Sequence, residues 1–211
     1  MSYNIEIIRE NKHITSKWSG GTTTELYICP VGSIYDQRNF KWRISSAKVE
    51  VVASTFTPLP GISRLIMVIE GELQLKHEGH HTAVLGAFEQ DCFSGNWETT
   101  SFGCVTDFNL MMARGYKGTL EAISFKAGEV KDILLYNNAN EDEKLSQIIE
   151  AFYIVEGAIE IDTGINVKTI LNKGDLVLAI RTELEIISQF KILSNCQEEV
   201  KIIKAIIFNY E

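Results

Sequence analysis

The stretch FKWRISSAKVEVVASTFTPLPGISRLIMVIEGELQL, from Phe40 to Leu75, decides the fold of this chain. It contains two largely apolar runs, Trp42 to Val52 and Ser63 to Ile69, and the turn between them is rich in proline and glycine. Glu70-Gly71 then opens another hairpin. Short runs of this composition, bounded by Pro and Gly, predict β-strands.

The end of this stretch recurs later in the chain at a constant offset. Ile66 to Leu75 aligns without a gap with Phe152 to Ile161, an offset of 156 − 70 = 86 residues, and the register continues to Glu89 against Asp175. Retained spacing over about twenty residues favours duplication of one strand-and-hairpin unit. Helical periodicity is nearly absent, so we predict an all-β chain with two related halves, residues 1–115 and 116–211, between which a strand could be exchanged.

Composition argues against several functional classes. A net charge of −8 without a cluster of Lys and Arg argues against a nucleic-acid surface, although a small anion can still bind in a locally positive pocket. No secretory signal and no apolar run of about 18 residues is present, so we expect a cytoplasmic protein that does not enter a membrane. The cysteines show no CxxC spacing and predict reduced, buried thiols: Cys29, Cys92, Cys104 and Cys196.

The repeated unit is similar to the cupin pattern, in which a strand ends in Glu-Gly and a later turn reads L-x-x-G-D, here Leu171 to Asp175. Longer motifs cover the first half: WSGGTTTELYICP from Trp18, FKWRISSAKVEV, FTPLPGISRLIMVIEGEL, and DFNLMMARG ending at Arg114. Their order and approximate spacing resemble the HutD/Ves family. This resemblance implies a bicupin, that is, two double-stranded β-helix (jelly-roll) barrels in one chain. It also implies a modulator of histidine utilisation that binds a pathway metabolite or, in the Ves branch, a link to cold and stress response.

The histidines depart from the usual cupin metal site, which uses an HxH pair, a glutamate and a third histidine. The chain has His13, His77, His80 and His81, and none forms an HxH pair. The adjacent His80 and His81 would point to opposite faces of a strand. We therefore expect exposed turn histidines, with no metal and no other cofactor.

Arg43 and Arg64 lie unusually among apolar strand residues. Alternate residues of a strand share a face, which groups Arg43 with Ser45 and Asp107 with Asn109, and these strands line one barrel if the family resemblance holds. A guanidinium matches a carboxylate with two parallel hydrogen bonds, so we expect Arg43 or Arg64 to bind a small anionic metabolite. Asp107 would hold the other arginine, and Asn109 and Ser45 would contact an amide or formyl group. The alternative is an internal Arg–Asp bridge that binds nothing.

The Gly20-Gly21 loop also has two interpretations. Its backbone N–H groups and the hydroxyls of Thr22 and Thr23 could bind an anion, which keeps both threonines as candidate ligand-binding residues. A tight turn that seats Trp18 is the simpler interpretation. The loop matches neither a Walker loop nor a dinucleotide fingerprint.

Catalysis has less support than binding. Glu25 and Asp107 could face the cavity, but no histidine is available as an acid–base partner, so Tyr27 or Tyr116 would have to supply one. We therefore expect a protein that binds a histidine-degradation intermediate, such as urocanate or N-formyl or N-formimino glutamate, without a metal. A metal-free isomerase or epimerase acting on a small acid or sugar is the alternative, and a homodimer is left open.

Overall fold

The computed structural model describes residues 4–134, 145–162, 168–182, 189–194 and 199–210. Within these ranges the chain is almost entirely β-structure, as predicted. Two 3-10 helices of three residues each, Glu10–Lys12 and Tyr35–Gln37, are the described helices, and no described helix is long enough to cross a membrane. The strands, in chain order, are β1 (Asn4–Ile8), β2 (Ile14–Trp18), β3 (Gly21–Cys29), β4 (Trp42–Val49), β5 (Ala53–Thr55), β6 (Ser63–Glu70), β7 (Leu73–His77), β8 (Thr82–Leu85), β9 (Gln90–Ser94), β10 (Thr99–Phe102), β11 (Thr106–Met112), β12 (Tyr116–Phe125), β13 (Val130–Leu134), β14 (Gln147–Glu156), β15 (Ala158–Asp162), β16 (Lys168–Asn172), β17 (Leu176–Arg181), β18 (Gln189–Ser194) and β19 (Val200–Asn209).

The chain divides into two compact units. The first unit comprises His13–Tyr116, and the second unit combines Met1–Lys12 with Lys117–Glu211. Strand β1 belongs to the second unit, because it pairs antiparallel with β17. Its Ile5 and Ile7 pack against the core of the second unit. Burial of these side chains explains why the N-terminal strand leaves the half that follows it in sequence.

The first unit contains two antiparallel sheets. The six-stranded sheet has the order β2-β3-β4-β11-β6-β9, and the four-stranded sheet has the order β5-β10-β7-β8. The apolar core of this unit joins Ile66 and Val68 of the larger sheet with Leu73, Leu75 and Leu85 of the smaller one. Two sheets packed face to face over such a core form a jelly-roll sandwich.

The second unit repeats this architecture. Its sheets have the orders β1-β17-β14-β19-β12 and β13-β18-β15-β16. Its core joins Phe152 and Val177 of the first of these sheets with Ile159, Leu171 and Ile192 of the second. Among the described strands no ladder closes either pair of sheets into a continuous barrel, so the predicted barrels are jelly-roll sandwiches.

The 86-residue repeat is present in the backbone hydrogen bonds. The N–H of Phe88 donates to the carbonyl oxygen of Val68 over 2.7 Å, and the N–H of Gly174 donates to that of Ile154 over 2.8 Å. These pairs are equivalent, since 88 + 86 = 174 and 68 + 86 = 154. Residues 88 and 174 also share a positive φ, 64° and 88° respectively. The predicted duplication therefore extends to the turn conformation.

The predicted state of the cysteines is partly wrong. Cys29, Cys92 and Cys104 are free thiols, but Cys92 and Cys104 are exposed. Cys92 lies on the short strand β9, and Cys104 lies in the segment between β10 and β11. Cys196 lies outside the described residues.

Candidate functional site

The predicted arginines lie on one face of the six-stranded sheet. Directly paired residues of neighbouring antiparallel strands share a face, so the pairing register defines rows across β3, β4, β11 and β6. The first row contains Thr23, Ala47, Asp107 and Val68. The second row contains Glu25, Ser45, Asn109 and Ile66. The third row contains Arg43, Met111 and Arg64, and this row continues to Phe93 on β9. Ile66, Val68 and Phe93 belong to the core shared with the smaller sheet. The rows therefore face the interior of the first unit.

Arg43 is held by groups on its own side of the sheet. Its Nε donates to Oε2 of Glu25 over 2.7 Å, and its Nη1 donates to Oγ of Ser45 over 3.1 Å. Its guanidinium carbon lies 4.5 Å from the ring centroid of Tyr35. The carboxylate that holds this arginine is thus Glu25 and not Asp107, because Glu25 pairs directly with Ser45, the neighbour of Arg43 on the same face.

Arg64 contacts two neighbouring phenyl rings. Its guanidinium carbon lies 4.5 Å from the ring centroid of Phe56 and 5.1 Å from that of Phe93. The residue is 7% exposed, and its Nε has no hydrogen-bond partner among the described residues. Burial lowers the pKa of Arg64 to about 10, an effect that Tyr35 and Asp107 partly oppose. The guanidinium remains charged at neutral pH and keeps an unused donor.

Asp107 and Asn109 present unused acceptors beside this cation. Both are about as buried as Arg64, and within the described ranges neither Oδ1 atom has a hydrogen-bond partner. Burial raises the pKa of Asp107 to about 7, although the Arg64 charge and the N–H of Ala47 act in the opposite direction. This carboxyl group therefore changes charge close to neutral pH.

Two cations lie on this face. Arg43 is paired with Glu25, whereas Asp107 beside Arg64 is largely protonated below pH 7. Asp91 pairs with Ile66 on the same face, and its carboxylate lies within hydrogen-bonding distance of His77 and His81. Buried guanidinium groups beside the half-buried rings of Tyr35 and Phe56 suit a small anion.

Six of the seven predicted residues are brought to this face. Thr22 is the exception, because it pairs with Lys48 and so points to the opposite face from Thr23. Tyr27 likewise pairs with Ile44 and stacks on Trp42 at 5.1 Å between ring centroids, on that opposite face. Tyr27 is therefore not positioned as the acid–base partner of Asp107.

Sequence reasoning missed the aromatic rings that contact the two arginines. Phe93 could have been found, since it lies directly opposite Arg64 in the pairing of β6 with β9. Tyr35 lies in a 3-10 helix and Phe56 follows a short strand, and such segments carry no periodic signal. Their positions depend on tertiary packing alone.

The prediction of exposed turn histidines is wrong for His77. This residue is 2% exposed because strand β7 alternates Leu73, Leu75 and His77 toward the interior. Its Nδ1 lies 2.8 Å from Oγ1 of Thr99, and its Nε2 lies 2.8 Å from Oδ2 of Asp91. The neighbouring His80 and His81 are exposed, as predicted.

Solved structures with the same fold cover nearly the whole chain. The conserved protein of unknown function PA5104 from Pseudomonas aeruginosa PAO1 is 21% identical with a TM-score of 0.76, over 97% of this chain and 98% of that one. HutD from Pseudomonas fluorescens SBW25, in a formate condition, is 18% identical with a TM-score of 0.66, over 96% and 98%. The oxalate decarboxylase of Lactobacillus farciminis in a formate complex is 8% identical with a TM-score of 0.64, over 96% and 85%.

These likenesses confirm the predicted fold class, because oxalate decarboxylase is a cupin-fold protein. No curated protein matches the chain. The sequence model of the HutD family matches residues 10–195, well over half of the chain. The match spans both repeat halves and includes every residue of the arginine-lined face. The chain therefore belongs to the HutD family.

Proposed function

We propose that this HutD-family protein binds a small carboxylate metabolite on the inner face of the first unit, with Arg64 receiving the carboxylate. The observation that carries the proposal is the environment of Arg64, a buried guanidinium that contacts two phenyl rings and whose Nε lacks a hydrogen-bond partner among the described residues. An uncompensated buried cation is destabilising. A ligand carboxylate would supply both the opposite charge and two acceptors.

The neighbouring polar groups restrict the rest of the ligand. Asn109 and Asp107 each present a buried oxygen that lacks a donor among the described residues. A ligand that satisfies them must carry an N–H or O–H donor as well as a carboxylate. Arg43, already held by Glu25 and Ser45, would contribute positive charge without rearrangement.

Histidine-degradation intermediates meet both requirements. Urocanate combines a carboxylate with an imidazole N–H, and N-formyl or N-formimino glutamate combines carboxylates with an amide or amidine N–H. Family membership supports this class of ligand, since HutD proteins are associated with histidine utilisation. The L. farciminis oxalate decarboxylase structure named above, which shares the fold, is a formate complex. The proposed role is that of a cytoplasmic modulator of histidine utilisation or stress response.

A second candidate function is metal-free isomerisation or epimerisation of a small acid. The observation that favours it is Asp107, whose pKa of about 7 lies in the range of an effective general base. Proton NMR in deuterated water separates the two functions. A modulator leaves the ligand unchanged, whereas an isomerase incorporates deuterium into it.

Isothermal titration calorimetry with urocanate, N-formyl-L-glutamate and formate tests the proposal. Arg64→Met keeps much of the side-chain volume and removes the charge, and Arg181→Met is the matched control because Arg181 is a fully buried arginine of the second unit. We expect at least one acid to bind the wild type and the control. Loss of a buried charge pair costs about 2 kcal/mol or more, so binding to Arg64→Met should be at least about 30-fold weaker. Equal weakening in both variants, or no binding of any acid to the wild type, would contradict the proposal.

A further inference from the structure

Three side chains with metal-binding atoms converge at one end of strand β7. They are His77 at the end of β7, His81 in the turn before β8, and Asp91 on β9, and one ligand atom from each lies within 4.8 Å of the other two. His77 Nε2 lies 2.8 Å from Oδ2 of Asp91, and His81 Nε2 lies 3.1 Å from both oxygens of the same carboxylate. Both imidazoles therefore point their Nε2 atoms at one carboxylate.

We propose that His77, His81 and Asp91 bind a divalent transition-metal ion of the zinc type, with a fourth coordination position open to solvent. Two imidazole nitrogens and one carboxylate oxygen form a donor set that such ions accept, typically with metal–ligand distances of about 2.0–2.2 Å. Tetrahedral geometry at those distances separates the ligand atoms by about 3.3–3.5 Å. The present separations of 2.8 and 3.1 Å widen to these values with shifts of about half an ångström or less.

The hydroxyl group of Thr99 orients the His77 ring, as hydrogen-bond partners of metal-binding histidines commonly do. Thr99 Oγ1 lies 2.8 Å from His77 Nδ1 and has the carbonyl oxygen of Trp97 as its own acceptor at 3.4 Å. With the threonine hydroxyl donating to that carbonyl, Nδ1–H of His77 donates to the threonine. The lone pair of Nε2 then faces the Asp91 carboxylate, and a metal ion or a proton between the two atoms removes their repulsion.

Burial of the three ligands is graded from inside to outside. The side chain of His77 is fully buried, that of Asp91 is 13% exposed and that of His81 is 42% exposed. The rings of Phe93 and Trp97 lie 4.6 and 5.5 Å from the His77 ring, between centroids. His77 is thus fixed among aromatic rings, while His81 stands on the solvent side where an ion can enter.

The site departs from our sequence-based expectation of no metal and also from the HxH, Glu, His arrangement of many cupins. His77 and His81 meet across a tight turn, in which the N–H of His77 donates to the carbonyl oxygen of His81 over 2.9 Å. Asp91 comes from β9 of the six-stranded sheet. The site does not depend on the proposed carboxylate binding, because Arg64 contributes no ligand atom.

Spectroscopic titration of the chelator-treated full chain with Co²⁺ tests this proposal, since the visible absorption of Co²⁺ reports coordination by the protein. One equivalent should bind, and competition with Zn²⁺ should abolish the absorption. His81→Ala should weaken Co²⁺ binding at least about tenfold without loss of folding, because His81 is largely on the surface. The matched control is His80→Ala, which removes an adjacent exposed histidine that stacks on Trp97 at 3.8 Å between ring centroids.

The affinity of His80→Ala for Co²⁺ should equal that of the wild type. Absence of stoichiometric Co²⁺ or Zn²⁺ binding, or equal weakening by His80→Ala and His81→Ala, would overturn the proposal and leave a hydrogen-bonded cluster. Arg64→Met should bind Co²⁺ like the wild type whichever acid the protein takes. Failure of the metal site and failure of the carboxylate site are therefore distinguishable.

Discussion

The two units carry opposite buried charges at equivalent positions of the repeat. Arg64 of the first unit corresponds to Glu150 of the second, since 64 + 86 = 150. Glu150 is fully buried, and its carboxylate lies 2.8 Å from Nζ of Lys204 and 3.4 Å from Nη2 of Arg181. Arg64 has no such ion pair among the described residues. The duplicated frame thus accommodates a buried charge in either unit, but only in the second do side chains close by neutralise it.

The strands next to Arg64 and Glu150, β11 and β19, also carry different side chains at equivalent positions. Asp107 pairs with Val68, and Ile202 pairs with Ile154, so Asp107 and Ile202 occupy equivalent places. The second unit therefore has a hydrocarbon side chain where the first has a carboxyl group with an unused oxygen. The comparison teaches that the two copies of a common core carry buried polar groups of different kinds, and we assign ligand binding to the copy whose acceptors are unused.

The largest effect should come from removing the central charge of the second unit. Glu150→Gln leaves Lys204 and Arg181 buried without a counter-charge, and we expect unfolding free energy to fall by about 3–5 kcal/mol. Urea unfolding monitored by circular dichroism measures this. Arg64→Met provides the contrast, since replacing an uncompensated buried cation by an apolar side chain should be neutral or stabilising. Equal losses in both variants would remove the distinction between the units.

Removal of the turn carboxylates Asp175 and Glu89, which are equivalent in the repeat, should lower the unfolding free energy by smaller and unequal amounts. Asp175 accepts hydrogen bonds from the N–H groups of Asn172 and Glu10 and from Arg9, whereas its counterpart Glu89 accepts one from the N–H of Gly86. Asp175→Asn should lower the unfolding free energy by about 1–3 kcal/mol, and Glu89→Gln by only a few tenths of a kcal/mol.

The acid side of the stability profile provides a check on Asp175. Burial acts to raise its pKa, but the hydrogen bonds and the Arg9 charge outweigh burial and lower it. A lowered folded-state pKa contributes stability above the unfolded-state pKa and loses it as the pH falls through the folded-state value. Asp175→Asn should therefore reduce the loss of unfolding free energy as the pH falls. An unchanged dependence of unfolding free energy on pH would contradict the role given to this carboxylate.

The smallest predicted effect is the pH dependence of carboxylate binding in the first unit. As the pH rises through about 7, Asp107 loses its proton and repels a carboxylate at Arg64, so affinity should fall several-fold between about pH 6 and 8. Glu25, Arg43 and Arg64 are charged side chains in the rows beside Asp107. Calorimetry across the range should show the decrease in the wild type but not in Asp107→Asn. An equal decrease of affinity in both proteins would show that a group other than Asp107 causes the pH effect.

Alternation and the repeat were sufficient to predict which side chains share a face. Arg43 and Ser45, like Asp107 and Asn109, follow from the two-residue period of a strand, and the offset of 86 residues carried the same frame into the second half. The partner of Arg43 could not be predicted, because the pairing of β3 with β4 shifts register between Glu25 and Tyr27. The pairing of β1 with β17 could not be predicted either, since contacts between residues distant in sequence leave no local pattern.

The most direct test of the account is the Nε–H resonance of Arg64 in ¹H–¹⁵N spectra of the uniformly labelled protein, assigned by its disappearance in Arg64→Met. This Nε–H has no hydrogen-bond partner among the described residues. Titration with N-formyl-L-glutamate or urocanate should shift this resonance saturably, with the dissociation constant found by calorimetry, while the Arg181 resonance stays in place. A ligand that binds by calorimetry yet leaves the Arg64 resonance unmoved would contradict the central claim.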